Sequence, residues 1–290
     1  MRRIVRIRWR IYNDAMPELP EVETIARGVN ERLRGDRIVE VWFSSHKQPF
    51  KTAPAKQAEG LEGLVIQQVR RVGKHIVCDL GETAEGASSA QWIVHLGMTG
   101  RLLVTTPEAE VVPHTHARLT LASGREMRFV DPRRFGRLEF RELAKSEAFT
   151  GPGTEPLTIK QDEFAVLFRG RRLAIKAALL NQSLLHGVGN IYADESLFRA
   201  GIRPRRMAGR LKREELNRLH AALQLVLRQA IEQGGSSVSD YVDANGVKGF
   251  FQLEHRVYLR GGQPCLVCAT PIRRTLVGGR GTHFCPVCQH

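Results

Sequence analysis

Apolar residues recur at helical spacing soon after the beginning of the chain. They are Val22, Ile25, Ala26, Val29 and Leu33. Pro20 suits the first turn of a helix, the neighbouring acidic residues favour its positive end, and Gly35 suits the position just beyond its end. This pattern predicts one amphipathic helix that begins near Pro20 and ends before Gly35.

From about residue 36 to residue 140 the apolar positions form short runs typical of β-strands. The runs are Leu64–Val72, His75–Leu80, Trp92–Leu96, Ala117–Leu121 and Glu126–Val130. Short strands in succession predict a β-sandwich or a barrel.

The pattern changes again after residue 145. Residues 146–160 contain Gly and Pro pairs that indicate a linker. Residues 161–255 show helical periodicity with a stop at Gly234-Gly235, and residues 256–290 return to short β-runs around cysteines. We therefore predict an α+β multidomain protein, with a sandwich over 16–145, a linker over 146–160, a helical domain over 161–255 and a small C-terminal module over 256–290.

Residues 1–15 fit none of these elements. They hold five Arg and one Asp, without the long apolar segment and small-residue cleavage site of a secretory signal. We interpret them as an extension that is not part of the fold or of the mature protein.

Charge narrows the range of partners. The 290 residues include 44 Lys and Arg against 30 Asp and Glu, a formal net charge of +14. This excess favours a polyanion such as nucleic acid, although ribosomal proteins, binders of acidic membranes and basic enzymes share it. No apolar run is long enough to span a membrane, and the cysteines do not form a disulfide framework, so we expect a cytoplasmic protein.

Four of the five cysteines form two pairs near the end of the chain. Cys265 and Cys268 make one Cys-x-x-Cys knuckle, and Cys285 and Cys288 make the other. Two such knuckles predict a zinc ribbon that holds one structural Zn²⁺ through four thiolates. Free thiols or two disulfides are the alternative. A closed set of four ligands leaves no coordination position for a catalytic water.

Three other motifs have both a functional and a simpler interpretation. The cations Arg273, Arg274, Arg280 and His283 suit a hairpin in a DNA groove or a solvated loop. The stretches His95–Met98 and Asp131–Phe135 suit wedges between bases or ordinary core packing. The stretch Leu185–Asn190 suits a phosphate-holding turn or a plain connection between helices.

Taken together, these motifs resemble the formamidopyrimidine-DNA glycosylase family. The resemblance begins at Met16–Thr24 and continues through Gly73-Lys74, His95–Gly100, Asp131–Gly136 and Gly187–Ala193 to the cysteine pairs. It implies a β-sandwich domain with flanking helices, a helix–two-turn–helix domain and a zinc ribbon. It also implies a monomer that binds damaged double-stranded DNA in the cleft between the domains and removes oxidised purines in base-excision repair.

The resemblance further implies five catalytic residues. Pro17 would attack the damaged nucleoside through a free N-terminal amine, forming a Schiff base with the sugar. Glu18 would protonate or stabilise the opening sugar, with support from Glu21. Lys74 would assist β-elimination at the abasic site, and Arg280 would assist the second, δ-elimination.

The remaining residues implied by the resemblance contact DNA. Met98, Arg133 and Phe135 would fill the space left in the base stack by the flipped nucleotide. Further DNA contacts are expected from His95, His114, Arg171, Lys176 and Asn190.

Two departures from the family pattern leave alternatives open. Gly246–Gly249 differs from the family's usual sequence in the loop over the flipped base, and residues 1–15 would block the amine of Pro17. We expect that an upstream start codon was assigned wrongly and that translation begins at Met16; proteolytic processing would give the same mature end. One alternative is the sister group that removes oxidised pyrimidines, against which Leu19 argues; another is a non-catalytic zinc-ribbon DNA-binding protein, if the extension is retained.

Overall fold

Two four-stranded antiparallel sheets face each other in the N-terminal half of the protein. The computed structural model describes residues 16–237 and 242–290, so the predicted extension over 1–15 lies outside the described residues. The strands are β1 (Ile38–Phe43), β2 (Val65–Val72), β3 (His75–Gly81), β4 (Ala90–His95), β5 (Arg101–Thr105), β6 (Thr115–Leu121), β7 (Glu126–Val130) and β8 (Arg137–Glu142). One sheet has the order β2-β3-β4-β8 and the other β1-β6-β7-β5. The predicted sandwich is confirmed.

The sandwich is held together by apolar side chains from both sheets. Ile76 and Trp92 of the first sheet belong to the same buried cluster as Leu119 and Phe129 of the second. Each is almost fully shielded from water. Burying one such side chain contributes about 1.5–3 kcal/mol, which makes the cluster the main source of stability for this half of the protein.

The predicted N-terminal helix is α1, Leu19–Leu33, and Gly35 follows it in the left-handed region at φ 85°. The apolar face of α1 joins the sandwich core through Val22, Ile25 and Val29. Leu19 at its first turn belongs instead to the core of the helical region. The beginning of α1 therefore lies where the two halves of the protein meet. A second helix, α2 (Pro54–Leu61), flanks the sandwich.

Four α-helices form the next part of the chain. They are α3 (Gln161–Phe168), α4 (Ile175–Leu179), α5 (Asn190–Ala200) and α6 (Arg213–Glu232). The predicted stop is confirmed, because α6 ends at Glu232 and Gly234 adopts φ 74°. Within the described ranges, no helix is both long and apolar enough to cross a membrane.

The predicted linker over 146–160 has no helix or strand, but it is firmly attached to both halves. The Glu155 carboxylate lies 2.8 Å from Nη2 of Arg71 in β2 and 3.2 Å from Nε2 of His186 before α5. Ile159 is buried in the helical core. The two halves are thus connected by an ion pair as well as by the chain. The exact boundaries of the domains stay a prediction.

A short hairpin completes the fold. It consists of β9 (Arg273–Val277) and β10 (Arg280–Phe284), joined at Gly278 and Gly279, both with positive φ. The four paired cysteines lie on either side of this hairpin in the sequence. The predicted return to β-structure after residue 256 is confirmed.

Candidate functional site

A cleft of about 810 Å³ separates the sandwich from the helical region. Its walls come from the β2-β3 turn, the segments around His95 and Arg133, the approach to α5, and the tip of the β9-β10 hairpin. Met16 and Glu18 line it where α1 begins. The cleft thus brings together residues that lie far apart in the sequence.

Glu18 connects the beginning of α1 to the beginning of α5. Its carboxylate accepts hydrogen bonds from the backbone N–H of Ile191 at 3.0 Å and of Tyr192 at 3.4 Å. Only 3% of Glu18 is exposed. Burial raises its pKa to about 7, against the opposing effect of Lys74 and of the two backbone donors. Glu18 can therefore hold or release a proton near neutral pH.

Glu21 lies one helical turn further along and is also buried. Its carboxylate accepts hydrogen bonds from the N–H of Glu18 at 2.8 Å, the N–H of Ser236 at 2.7 Å and the hydroxyl of Tyr192. Burial raises its pKa above the ordinary range of a glutamate. Glu21 fixes the backbone of Glu18 and the segment that follows α6 relative to each other.

Pro17 lies between two residues that line the cleft and is itself buried. In the printed sequence its nitrogen is bonded to the carbonyl of Met16. That nitrogen is an amide with a delocalised lone pair, so it is not nucleophilic in the intact chain.

Lys74 and Arg280 face the same cleft from opposite sides. Lys74 belongs to the β2-β3 turn, and Arg280 is the first residue of β10. Burial lowers the pKa of Lys74, an effect that the Glu18 carboxylate opposes and Arg280 reinforces. Two cations and a titratable carboxyl group thus share one partly enclosed space.

His95 presents a neutral imidazole to the cleft. Burial lowers its pKa to about 3, so the ring is uncharged at pH 7. Its Nδ1 accepts a hydrogen bond from the N–H of Gly97 at 3.1 Å, which leaves Nε2 as the protonated nitrogen. His95 can therefore donate one hydrogen bond without carrying a charge.

Met98 and Arg133 line the cleft beside His95. The guanidinium of Arg133 lies over the ring of Phe135, 4.8 Å from its centroid, and 48% of Phe135 is exposed. An exposed aromatic ring stacked on a cation suits contact with a planar base. The structure brings these three predicted residues to one rim.

Asn190, the first residue of α5, also lines the cleft. Four other predicted DNA contacts do not line it, namely Phe135, His114, Arg171 and Lys176. His114 lines a separate cavity next to β6. Arg171 is half-buried and donates from Nε to the carbonyl oxygen of Leu167.

Lys176 does not reach the surface of the structure, and its contact with DNA stays a prediction. Its side chain is fully buried, with Nζ 2.7 Å from Oδ1 of Asp194. Nζ also donates hydrogen bonds to the carbonyl oxygen of Gly281 and to the hydroxyl of Thr282. The ammonium group joins α4, α5 and β10, which leaves it no exposed donor for phosphate.

Sequence reasoning missed several residues that shape the cleft. Tyr192 and Ser236 hold Glu21, and Asp194 holds Lys176. His75 packs against His95, with ring centroids 4.8 Å apart. Tyr192 lies in the motif Gly187–Ala193 but was given no role there, and Asp194 looks like an ordinary position of a helix in the sequence.

The four paired cysteines converge at the C-terminal end of the protein. Their sulfur atoms all lie within 4.8 Å of one another, with Sγ of Cys265 3.9 Å from Cys288 and Sγ of Cys268 3.5 Å from Cys285. A tetrahedral Zn²⁺ with Zn–S bonds of about 2.3 Å requires S–S separations near 3.8 Å. These separations are far too long for disulfides. The site therefore fits one structural zinc ion and is closed to a catalytic water.

Comparison with family models accounts for most of the chain. The Formamidopyrimidine-DNA glycosylase N-terminal domain matches residues 16–138, the Formamidopyrimidine-DNA glycosylase H2TH domain matches 151–242, and the zinc finger found in FPG and IleRS matches 262–290. The chain belongs to the formamidopyrimidine-DNA glycosylase family.

Individual members of the family show the same relationship. The formamidopyrimidine-DNA glycosylase of Solibacter usitatus is 46% identical over 275 residues, which cover 94% of this chain and 99% of that protein. The Fpg protein of Thermus thermophilus has a crystal structure that is 41% identical, with a TM-score of 0.80 and coverage of 94% and 98%. A Lactococcus lactis Fpg mutant in complex with DNA containing Fapy-dG is 32% identical, with a TM-score of 0.83 and coverage of 94% and 100%.

Family membership confirms the predicted class of fold, with a β-sandwich, a helix–two-turn–helix region and a zinc finger. It also makes the protein a DNA glycosylase of base-excision repair.

Proposed function

We propose that this protein removes oxidised purines from double-stranded DNA and then cuts the strand at the resulting abasic site. The main support is the arrangement around the cleft. Glu18, which follows Pro17 directly in the sequence, shares this cleft with Lys74 and Arg280. A proton donor and two cations beside a buried proline suit the removal of a base from a sugar-phosphate chain.

The nucleophile in this proposal is the secondary amine of Pro17. It requires a chain in which Met16 and everything before it are absent, since only a free amine has an available lone pair. The family match begins at residue 16, which supports such a form. The amine would attack C1′ of the damaged nucleoside and lose its proton, and the base would leave with the electrons of the glycosidic bond. Opening of the C1′–O4′ bond would then leave an iminium link to the sugar.

Glu18 is the proposed acid. A carboxyl group with a pKa of about 7 is partly protonated at neutral pH, so it can give a proton to the ring oxygen of the sugar as the ring opens. Glu21 would act through Glu18, because it accepts the N–H of that residue and does not line the cleft. We assign Glu21 a positioning role.

The lyase steps are assigned to the two cations. Lys74, whose pKa is lowered by burial, would assist removal of the C2′ proton in the β-elimination that expels the 3′ phosphate. Arg280 would bind the 5′ phosphate and assist the δ-elimination that expels it. Together the two steps would leave a gap of one nucleoside.

The remaining contacts would hold the DNA open. Met98, Arg133 and Phe135 would occupy the position of the flipped base, with Arg133 facing the orphaned cytosine. His95 and Asn190 would donate hydrogen bonds to phosphates inside the cleft. His114 and Arg171 would contact phosphates outside it.

Borohydride trapping tests this proposal directly. Protein that starts at Met16, protein containing residues 1–290 and a Glu18→Gln variant would each be incubated with a duplex carrying 8-oxoguanine opposite cytosine. Borohydride reduces an iminium to a stable amine, so a covalent protein–DNA band reports the Schiff base. We expect a band from the Met16 form and none from an undamaged duplex.

Each outcome has a distinct meaning. No band from either wild-type form, with tight DNA binding retained, would overturn the glycosylase mechanism in favour of a non-catalytic binder. Efficient trapping on a thymine glycol duplex, with none on 8-oxoguanine, would instead assign the protein to oxidised pyrimidines. The Lactococcus lactis Fpg has been crystallised with DNA containing an oxidised pyrimidine, so both substrates belong in the experiment.

A further inference from the structure

A buried histidine that none of the proposed steps uses lies behind the support of Glu18. His255 follows a short 3₁₀ helix, Phe251–Glu254, and only 8% of it is exposed. It does not line the cleft. A buried polar side chain normally has a specific hydrogen-bond partner, so the partner of His255 indicates what the residue does.

The partner of His255 is Ser236. Nε2 of His255 and Oγ of Ser236 are 3.1 Å apart and share a hydrogen bond. The N–H of the same serine donates to Oε1 of Glu21 at 2.7 Å, and Oε2 of Glu21 accepts the N–H of Glu18 at 2.8 Å. A series of three hydrogen bonds therefore leads from the imidazole to the backbone of the proposed acid.

The backbone just before Ser236 lies directly against Glu21. A Cβ atom added at Gly235 would lie 3.0 Å from Cγ of Glu21, and Gly235 has a φ of 83°. Phe251 donates its N–H to the carbonyl oxygen of Gly235 at 3.0 Å, which fixes this backbone. The hydrogen bond from His255 then fixes the next residue by its hydroxyl, so that its N–H stays directed at Glu21.

The turn that carries His255 holds a second serine as well. Oε1 of Gln252 accepts the N–H of Ser237 at 2.9 Å, and Oγ of Ser237 accepts the N–H of Gly249 at 2.9 Å. Residues 249–255 thus bind two consecutive serines. The segment that follows α6 takes its position from this turn, and His255 is the residue of the turn whose contact leads on to Glu21.

Aromatic rings fix the orientation of the imidazole. The rings of Phe251 and Tyr258 pack edge-on against His255, with centroids 5.7 Å and 5.5 Å away. Phe251 also packs against Tyr192, whose hydroxyl donates to Glu21. Burial lowers the pKa of His255 to about 4, so the ring is uncharged at pH 7. The imidazole is therefore a neutral hydrogen-bonding group held in one orientation.

We infer that His255 is a positioning residue for base excision, which acts through Ser236 and Glu21 to hold Glu18 where the acid reaches the sugar. An apolar side chain of similar size would fill the same space without this hydrogen bond, so packing alone does not call for a histidine. The inference rests on the proposed function, because it requires Glu18 to act as the acid.

Two variants and their combination test this route. His255→Leu removes the hydrogen bond and retains most of the volume, whereas Ser236→Ala removes the hydroxyl and retains the N–H. Each would be made in protein that starts at Met16, and excision of 8-oxoguanine opposite cytosine would be measured in a single turnover at saturating protein. We expect each variant to be slower by about tenfold, the factor that corresponds to one hydrogen bond. The double variant should be no slower, because both changes remove the same bond.

Three further measurements separate positioning from a general loss of structure. Cleavage of a preformed abasic site needs no base to leave, and the open aldehyde of that site needs no ring opening, so cleavage should stay near wild type. His255→Gln, whose amide can reach Ser236, should restore most of the excision rate. His220→Leu is the matched control. The imidazole of His220 donates to the carbonyl oxygen of Ile159 at 2.9 Å and packs against Phe164 without lining the cleft, so excision should be unchanged.

Several outcomes would overturn the inference. They are a wild-type excision rate in His255→Leu, additive losses in the double variant, equal losses of excision and of abasic-site cleavage, and a His255→Gln variant as slow as His255→Leu. Failure of the proposed function has a different signature, since the wild-type protein would then neither excise the base nor form the borohydride-stable band. Normal wild-type excision with unchanged variants would contradict only the role of His255.

Discussion

Gly189 lies directly against the side chain of Glu18. A Cβ atom added at Gly189 would lie 2.1 Å from Cδ of that carboxylate, and the φ of Gly189, −128°, is open to any residue. The constraint is therefore steric and not a matter of backbone conformation.

We expect Gly189→Ala to displace Glu18 and to lower the single-turnover rate of base excision by about 100-fold, since a shift near 1 Å is enough for such a loss. Binding to a duplex with an abasic analogue should be largely preserved. Gly261→Ala is a matched control, because its new Cβ would have only ordinary contacts. An unchanged excision rate in Gly189→Ala would contradict the role of Glu18.

The pKa of Glu18 predicts how excision depends on pH. The protonated carboxyl group is the proposed acid, so the single-turnover rate should fall as the pH rises above about 7. An identical dependence on pH above 7 in wild type and in Glu18→Gln would show that Glu18 does not act as the acid.

The same pKa also predicts the pH dependence of stability. The pKa is raised on folding, so the folded state binds the proton more tightly, and stability is lost as the pH rises from about 4.5 to about 7. The free energy of unfolding of wild type should fall by about 3 kcal/mol relative to Glu18→Gln across this interval, and the difference should then stay constant. Denaturant unfolding of both proteins at each pH measures it, and a parallel pH dependence in the two would contradict the raised pKa.

The buried ion pair of Lys176 and Asp194 predicts a large loss of stability. Lys176→Met leaves the Asp194 carboxylate buried without its ammonium partner, so unfolding should become easier by about 3–5 kcal/mol. Arg27→Ala breaks the exposed pair with Glu23 and should change stability by less than about 1 kcal/mol. Chemical denaturation of the two variants checks the contrast, which would be absent if Lys176 were solvated.

Removal of zinc should separate the finger from the rest of the fold. A chelator that strips the metal, or Cys268→Ser, should release one zinc ion per chain and abolish tight DNA binding, since Arg280 lies on the hairpin between the knuckles. Cys78→Ala should retain the zinc, because Cys78 lies in the sandwich core. Zinc content by a colorimetric indicator and DNA affinity provide the two readouts, and full affinity without zinc would contradict the prediction.

The sequence was most informative where structure depends on neighbours along the chain. The helix that ends before Gly35 and the two cysteine knuckles follow from local spacing. By contrast, β5 and β8 were not among the predicted runs. The elements β1 and α2 were also missed, since Val39 and Trp42 face solvent and α2 buries only Gln57 and Leu61. Neither element shows a clear apolar period.

Contacts between distant residues could not be predicted. Glu18 and Ile191 are 173 positions apart, and only the fold brings them together. The burial of Lys176 could not be predicted for the same reason, because a lysine whose partner lies on another helix looks like any surface cation in the sequence. The family resemblance identified Glu18, but the hydrogen bonds that hold it required coordinates.

The bonds from α5 to Glu18 have a consequence for how the two halves move. One carboxyl group joins both walls of the cleft, so its charge state and the angle between the walls must be thermodynamically linked. Separating the walls would admit water to Glu18, lower its pKa and release its proton. A DNA molecule that pushes the halves apart would thus leave Glu18 deprotonated and unable to act as the acid. A nucleotide that fills the cleft and keeps water out would keep Glu18 protonated. Proton release on DNA binding, measured by titration in buffers of different ionisation enthalpy, would report which of the two states a given lesion selects.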